Sequence, residues 1–340
     1  MSTVDAASNL HSMFSRNSQE DEMKPIDSAQ FPLVMISAMY ENGGNTTHRI
    51  LDGHPELFVY PFESQLGTRH VSDCWTSMYP AKYRWPEFLL SATLDQDYAA
   101  IIDEECKVRS RTPEVSKFRH WPFELDDNHR RDQFISSLTD VPLTRANLVC
   151  SFIYSTFEAW KDRVSSGKEH IYVGYSPVFG IDGERFLNDL PGGHLLHVIR
   201  NPWSAYADTK RRPVPLALNH YMNGWVSLQN AVLACQERFP NHVHVVRFED
   251  LVEDPKHALT PFCTAIGIDP GELVAQPTWN GRPLDKVAPW GTIRNATPEE
   301  NLNRAHELNT SEVADIERYA RPLLSHFGLD LFLESTFSTR

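Results

Sequence analysis

The sequence has 340 residues, of which 41% are hydrophobic and 23% are charged, so it can form a globular protein with a sizeable core. No apolar run approaches the roughly 20 residues that a membrane-spanning helix needs, which argues against a membrane protein. The formal net charge of −13 argues against general nucleic-acid binding, because most of the surface would repel a polyanion.

The N-terminal residues 1–28 are polar and charged, with few large apolar side chains, and we predict that they form a disordered tail. They lack the basic start and apolar stretch of a secretory signal, so we expect a cytoplasmic protein. Residues 29–335 are predicted to form a single domain. The cysteines are scattered and form no CxxC pair, so no metal site is expected.

Four apolar runs predict the strands of the domain. The first, FPLVMISAM at residues 31–39, is continuous, as is typical of a strand buried on both faces of a parallel sheet. A glycine-containing turn follows, and a helix is predicted from Thr46 onward. Further runs lie at residues 171–175, 194–199 and 242–248, separated by stretches with helical spacing. This alternation predicts an α/β fold with a doubly wound, mostly parallel central sheet and flanking helices.

Residues 67–147 have a different composition, rich in Trp, Tyr, Pro and charged residues. We predict a helical insertion that covers the substrate side of the sheet, since such insertions often build substrate pockets. Its aromatic residues either line an acceptor pocket or pack the lid itself: Trp75, Tyr79, Tyr83, Trp85 and Trp121. Near the C-terminus, residues 310–327 have apolar residues at helical spacing and are predicted to form a surface helix.

The turn after the first strand is predicted at residues 40–45, and NGGNTT at residues 42–47, where the turn meets the helix, is a candidate anion site. Its glycines allow positive φ, and backbone amides at the positive end of a helix bind phosphate. The GxxxxGK[ST] spacing and its lysine are absent, which argues against a P-loop kinase or another nucleoside triphosphatase. The alternative is a plain strand-to-helix turn that is capped by Asn45 or Thr46.

A second candidate site lies at Arg200, which follows the apolar run HLLHVI. A guanidinium at the carboxyl end of a parallel strand lies where open α/β sheets bind ligands. Pro202 is predicted in the first turn of a helix that carries Asp208, Thr209 and the basic residues 210–212. The alternative is that Arg200 forms an ion pair at the strand end and that the basic residues form a solvated face.

Four segments, in the same order, resemble the sulfotransferase family that uses 3′-phosphoadenosine 5′-phosphosulfate (PAPS), and the resemblance extends over residues 31–329. NGGNTTHRILDGHPELFVYPFES is similar to the 5′-phosphosulfate loop, helix and second strand of that family. LLHVIRNP, followed by KRR, is similar to its 3′-phosphate segment. VHVVRFEDLVEDP resembles a family strand and helix start, and WNGRPLDKVAPWGTIRN resembles the C-terminal lid loop.

The resemblance implies sulfuryl transfer from PAPS, which leaves as 3′-phosphoadenosine 5′-phosphate (PAP), to a hydroxyl or amine of a small-molecule, sugar or natural-product acceptor. It implies that these residues bind the donor: Gly43, Gly44, Asn45, Thr46, Thr47, His48, Arg200, Thr209 and Arg294. Among them, His48 would stack on the adenine and Arg294, in preference to Arg282, would close on the 3′-phosphate. Glu63 is the first candidate for the general base and His120 the second. No nucleic-acid or membrane partner is expected, and a homodimer stays open.

Two positions depart from the family pattern. The family loop has a Lys or Arg before its small residue and Thr pair, where the cation stabilises charge on the bridging oxygen as the sulfuryl group leaves, whereas residues 41–44 here are Glu, Asn, Gly and Gly. Asp208 stands in place of the family serine and would repel a phosphate unless Thr209 takes over that role. Arg49, Lys210, Arg211 and a lid residue are candidates for the missing charge. The alternative interpretation is therefore a repurposed enzyme or binding protein that keeps the fold and has lost or changed the phosphosulfate chemistry.

Overall fold

The computed structural model describes residues 26–89, 91–284 and 297–334. The strands and helices of these residues are, in chain order, β1 (Leu33–Ala38), α1 (Gly44–Leu51), β2 (Leu57–Val59), α2 (Leu94–Ala100), α3 (Glu104–Arg111), α4 (Asp127–Ser136), α5 (Arg145–Ala159), β3 (Ile171–Tyr175), α6 (Gly183–Asp189), β4 (His194–Ile199), α7 (Pro202–Lys210), α8 (Leu218–Arg238), β5 (Val243–Arg247), α9 (Phe248–Glu253), α10 (Pro255–Ile266), β6 (Thr278–Trp279), β7 (Arg282–Pro283), α11 (Pro298–Ala305) and α12 (Thr310–His326).

The central sheet has five parallel strands in the order β2-β3-β1-β4-β5. All residues of β1 are buried, because the strand lies in the middle of the sheet and apolar layers cover both of its faces. The predicted α/β fold with a doubly wound parallel sheet is confirmed. The chain runs from β1 toward one edge of the sheet and from β4 toward the other. The carboxyl ends of β1 and β4 therefore flank the crevice in which such sheets bind ligands.

Two apolar layers enclose the sheet, and β1 contributes alternate side chains to each. Leu33 and Met35 belong to the larger layer, and Val34 and Ile36 to the smaller one. This alternation follows from the twofold side-chain period of a strand, so an apolar run without polar interruption is what a doubly covered strand requires. The layers hold the strand ends, and hence the crevice, in a fixed position.

The predicted insertion contains α2, α3 and α4, together with the start of α5. Part of it is joined to the rest of the domain by a buried ion pair in which Arg84 Nε lies 2.6 Å from Asp182 Oδ2. Trp85 packs its ring edge-on against Phe179, in the core. Tyr79 is equally buried, and its hydroxyl donates to a helix carbonyl in α8 at 2.7 Å. These two aromatic residues therefore stabilise the core and do not line an open pocket.

The ends of the described chain are well packed. Ile26 is buried, and the Ser28 N–H donates to Asn147 Oδ1 at 3.1 Å, whereas residues 1–25 of the predicted tail lie outside the described residues. The predicted C-terminal helix is α12, with Asn309 as its N-cap and Glu312 completing a capping box. Among the described helices, none is long and apolar enough to cross a membrane.

A cluster of histidines lies at the start of β4 and β5. The ring of His194 stacks on those of His242 and His244, with centroid separations of 4.9 and 5.3 Å. Burial, and after it the charges that these two neighbours acquire on protonation, lower the pKa of His194 from 6.5 to about 4.

We expect this cluster to make the fold less stable in mild acid. Because the pKa of His194 is lower in the folded than in the unfolded chain, the unfolded chain binds more protons between pH 6.5 and 4, and stability falls as the pH falls through that range. His194→Gln should reduce the loss in free energy of unfolding between pH 7 and pH 5 by about 1 kcal/mol, after allowance for partial exposure. Urea unfolding at both pH values measures it. The exposed His257→Gln is the control, and an unchanged pH dependence in His194→Gln would contradict the assignment.

Candidate active site

The turn after β1 and the arginine after β4 meet in the crevice between the two strands. The backbone N–H of Arg200 donates to Asn42 Oδ1 at 3.1 Å. Its Nη1 donates to the carbonyl of Glu41, within the turn, at 2.8 Å. The two candidate anion-binding segments of the sequence are therefore neighbours in space, and Arg200 contacts the turn directly.

Asn42 fixes the turn in place. Its side chain is fully buried, and Nδ2 donates to the carbonyl of Tyr40 at 2.9 Å and to the hydroxyl of Tyr221 at 3.0 Å. Oδ1 accepts from the indole of Trp225 at 3.3 Å in addition to the Arg200 N–H. The amide thus links β1 to β4 and α8. The sequence marks Asn42 only as a turn residue, because its partners are distant along the chain.

The two glycines of the turn are needed for different reasons. Gly43 has φ 90°, and a Cβ there would lie 2.2 Å from the ring of Phe248. A Cβ at Gly44 would lie 2.4 Å from the ring of Tyr175. Positive φ therefore explains Gly43, as the sequence predicts, whereas close packing of an aromatic ring explains Gly44.

The N-terminus of α1 is open to a ligand. Gly43 is its N-cap, and no side chain caps the helix, so capping by Asn45 or Thr46 is not observed. The Thr47 hydroxyl donates back to the Gly43 carbonyl at 3.1 Å, which keeps it within the helix. The amides of Gly44, Asn45 and Thr46 have no acceptor among the described residues. Free amides at a helix N-terminus are a favourable anion site.

Arg200 forms the ion pair that the sequence left as an alternative. Its side chain is only 8% exposed, and Nη1 lies 2.8 Å from Asp208 Oδ2. Nε donates to Asn301 Oδ1 at 2.8 Å, and the guanidinium lies over the ring of Phe248. Asp208 therefore occupies part of the guanidinium that an anionic ligand would use, and it is itself held 3.5 Å from Arg304.

Several other predicted donor-binding residues do not face the crevice. The Thr209 hydroxyl is buried and donates to the carbonyl of Ala205 in its own helix at 2.9 Å. His48 is 1% exposed and packs on Tyr175, so a base cannot stack on it in this conformation. Burial, and then the charge of Arg49, hold the pKa of His48 well below its usual value, so the ring is neutral.

The remaining two predicted cations are in the lid loop. Arg282 is exposed in β7, and Arg294 lies outside the described residues.

Glu63 lies at the same end of the sheet as the turn, beyond the carboxyl ends of the strands. It follows β2 in an irregular segment and not in a helix. The next residue, Ser64, donates its N–H to the carbonyl of Tyr175 at 2.6 Å, which holds Glu63 beside the carboxyl end of β3. Tyr175 also packs against Gly44. Glu63 and the turn therefore lie along the same wall of the crevice.

Tyr83 lies next to Glu63. Burial, and after it the negative charge of Glu63, raise the pKa of Tyr83 far above its usual value, so the phenol stays protonated and can donate to the carboxylate. The alternative base, His120, is exposed, and no described hydrogen bond, ion pair or ring contact joins it to Glu63 or to the turn. The structure therefore brings Glu63, and not His120, to the predicted site.

Sequence reasoning did not assign a role to three further residues of the crevice. Glu41 has φ 61°, and its carboxylate lies 3.7 Å from Arg212 Nε. Burial raises the pKa of Glu41, and Arg212 opposes this shift. The guanidinium of Arg212 lies 5.2 Å from the ring centroid of Tyr40. The position of Tyr40 and Glu41 just after a buried parallel strand was the signal available for them.

No family model and no curated protein matches this sequence. Among solved structures, the chain is similar to the sulfotransferase domain of the olefin synthase of Synechococcus PCC 7002, with 19% identity over 92% of this chain and 98% of that domain and a TM-score of 0.50. The sulfotransferase domain from the curacin biosynthetic pathway has 15% identity over 86% of this chain and 97% of that domain, with a TM-score of 0.48. A sulfotransferase from Mycobacterium avium has 12% identity over 88% of this chain and 78% of its own, with a TM-score of 0.42.

The first of these likenesses shows that the chain has the sulfotransferase fold. The fold that the sequence resemblance implies is confirmed.

Asn42→Ala should destabilise the protein strongly. The substitution removes the donor of the buried Tyr221 hydroxyl and the acceptor of the Trp225 indole and the Arg200 N–H. We therefore expect a loss of about 2–4 kcal/mol in the free energy of unfolding. Asn45→Ala is the matched control, because Asn45 is exposed and its loss should change stability by less than about 0.5 kcal/mol. Chemical denaturation measures both, and equal effects would show that Asn42 does not hold the turn.

Proposed function

We propose that the chain is a sulfotransferase that transfers a sulfuryl group from PAPS to a hydroxyl or amine of a small-molecule acceptor. One observation carries the proposal: the uncapped N-terminus of α1 and the Glu63 carboxylate share one wall of the crevice at the carboxyl ends of the strands. The sulfotransferase fold supports it. The arrangement sets an anion site beside a base.

The donor would be held at the turn and at Arg200. The free amides of Gly44, Asn45 and Thr46, with the positive end of the α1 dipole, would bind the 5′-phosphosulfate. Arg200 would bind the 3′-phosphate through its planar guanidinium. A phosphate that uses Nη1 would exchange with Asp208, because Asp208 already accepts from that nitrogen.

Glu63 would act as the general base. The acceptor attacks sulfur and loses its proton to Glu63, and the bond between sulfur and the bridging phosphate oxygen breaks. The electron pair of that bond passes to the 5′-phosphate of PAP. Tyr83, which stays protonated, would orient the Glu63 carboxylate by donating to it. The chain's own part in the reaction is to bind the donor, orient the acceptor and take up one proton.

One alternative function has an observation in its favour. Asp208 already neutralises Arg200, and a carboxylate, Glu41, stands in the turn where a cation would assist the reaction. A protein that keeps the fold and binds another ligand would have this arrangement. Isothermal titration with PAP separates the two, because binding supports the sulfotransferase and absence of binding supports the alternative. A preference for a nucleoside triphosphate would instead indicate a kinase-like protein.

Asp208→Ser should strengthen PAP binding. The substitution frees Arg200 and removes a negative charge near the 3′-phosphate, so we expect the dissociation constant to fall about tenfold, which corresponds to about 1.4 kcal/mol. Asp250→Ser, which breaks the ion pair with Arg247 after β5, is the control and should leave the dissociation constant of PAP unchanged. A dissociation constant that does not fall in Asp208→Ser would argue that Arg200 does not bind the 3′-phosphate.

Glu63→Gln should lower turnover by about 100-fold or more, because the amide cannot accept the acceptor proton. PAP affinity should stay within about twofold of wild type, since Glu63 does not contact the donor phosphates in this assignment. Mass spectrometry for the gain of one sulfuryl group across an acceptor panel measures turnover. His120→Gln is the comparison: if it abolishes turnover while Glu63→Gln does not, the base has been misassigned.

A further inference from the structure

The basic residues at the end of α7 have separate partners. Lys210 Nζ lies 2.7 Å from Glu312, and Arg211 Nη2 lies 2.6 Å from Glu307. Both side chains therefore point toward the C-terminal part of the chain and away from the turn. Arg212, the next residue, does not join them.

Arg212 faces the turn. Its N–H donates to the Thr209 carbonyl at 3.1 Å, and Pro213 follows, so the chain leaves the helix at this point. The side chain crosses to Tyr40 and Glu41, where the shortest ion-pair distance, 3.7 Å, is longer than a hydrogen bond. It remains 33% exposed. Arg212 is thus a cation that reaches the turn, is accessible and is only loosely paired.

The other arginines near the turn are more deeply buried. Arg200 shares Nη1 between Asp208 and the Glu41 carbonyl. Arg49 is buried and donates to the Tyr60 carbonyl at 3.1 Å. Arg304 pairs with Glu300 at 3.1 Å and with Glu307 at 2.9 Å. Of these four described arginines, Arg212 has the most exposed side chain, at 33% against 3–13% for the others, so it can meet an anion at the turn without leaving a buried site.

We propose that Arg212, delivered from the end of α7, supplies the positive charge at the turn that stabilises the leaving 5′-phosphate of PAP. This inference rests on the proposed function. As the bond between sulfur and the bridging oxygen breaks, its electron pair passes to that oxygen, and the 5′-phosphate gains one negative charge. A guanidinium that exchanges the loose contact with Glu41 for this oxygen binds the product more strongly than the donor, and so it favours transfer.

The different distribution of charge in donor and product makes this role measurable without an acceptor. The terminal 5′-phosphate of PAP carries the negative charge that, in PAPS, lies on the sulfate. Isothermal titration of wild type and Arg212→Ala with each nucleotide should show about tenfold weaker binding of PAP and only about twofold weaker binding of PAPS in the variant. Arg212→Lys should recover part of the loss, because it keeps the charge and loses the planar fork.

Arg318→Ala and Arg321→Ala are the controls, since each removes the same charge from an exposed ion pair of α12, and both should bind PAP within about twofold of wild type. Equal losses in all three variants would show a general electrostatic effect and overturn the role of Arg212. Normal PAP binding by Arg212→Ala, with wild type also binding, would overturn this inference alone. Failure of wild type to bind PAP would overturn the proposed function and this inference with it. Thermal melting of each variant checks that the fold is intact.

Discussion

The hydrogen bonds of the Asn42 side chain are the constraint on which the rest of the site depends. They hold the turn after β1 against the first residue after β4 and against two aromatic residues of α8. Because the amide is fully buried and uses both its donors and its acceptor, another turn position would leave polar groups without partners. The position of this turn determines where α1 begins, and with it the position of the free amides at the helix N-terminus. The candidate anion site is thus formed by packing within the protein.

The crevice carries closely spaced charges of both signs. Asp208 pairs with Arg200 at 2.8 Å, and Glu41 pairs with Arg212 at 3.7 Å. In the proposed function, a nucleotide phosphate that binds Nη1 of Arg200 would replace Asp208 as its partner. Exchange of ion-pair partners would then be part of binding.

Much of the fold could be predicted because it depends on local rules. The apolar runs at residues 171–175 and 194–199 coincide with β3 and β4, since a strand covered on both faces has no other pattern. Pro202 begins α7 because its fixed φ suits a first helical turn. The candidate site was less predictable. Thr209 and His48 point inward because they lie on the buried faces of their helices. Which face of a helix is buried depends on contacts with residues far along the chain. The sequence could not predict the position of Arg212 for the same reason. Only the path of the chain beyond α7 directs its side chain to partners different from those of Lys210 and Arg211.

The carboxylate that accompanies Arg200 acts as an internal competitor for the ligand. Whenever the crevice is empty, Asp208 saturates part of the guanidinium, so the ligand gains only the difference between two favourable contacts. In the proposed function, the same exchange would help PAP to leave, because Arg200 has a replacement partner within reach as the phosphate departs. Such a site would bind its donor less tightly and release its product more readily than one with an unpaired arginine.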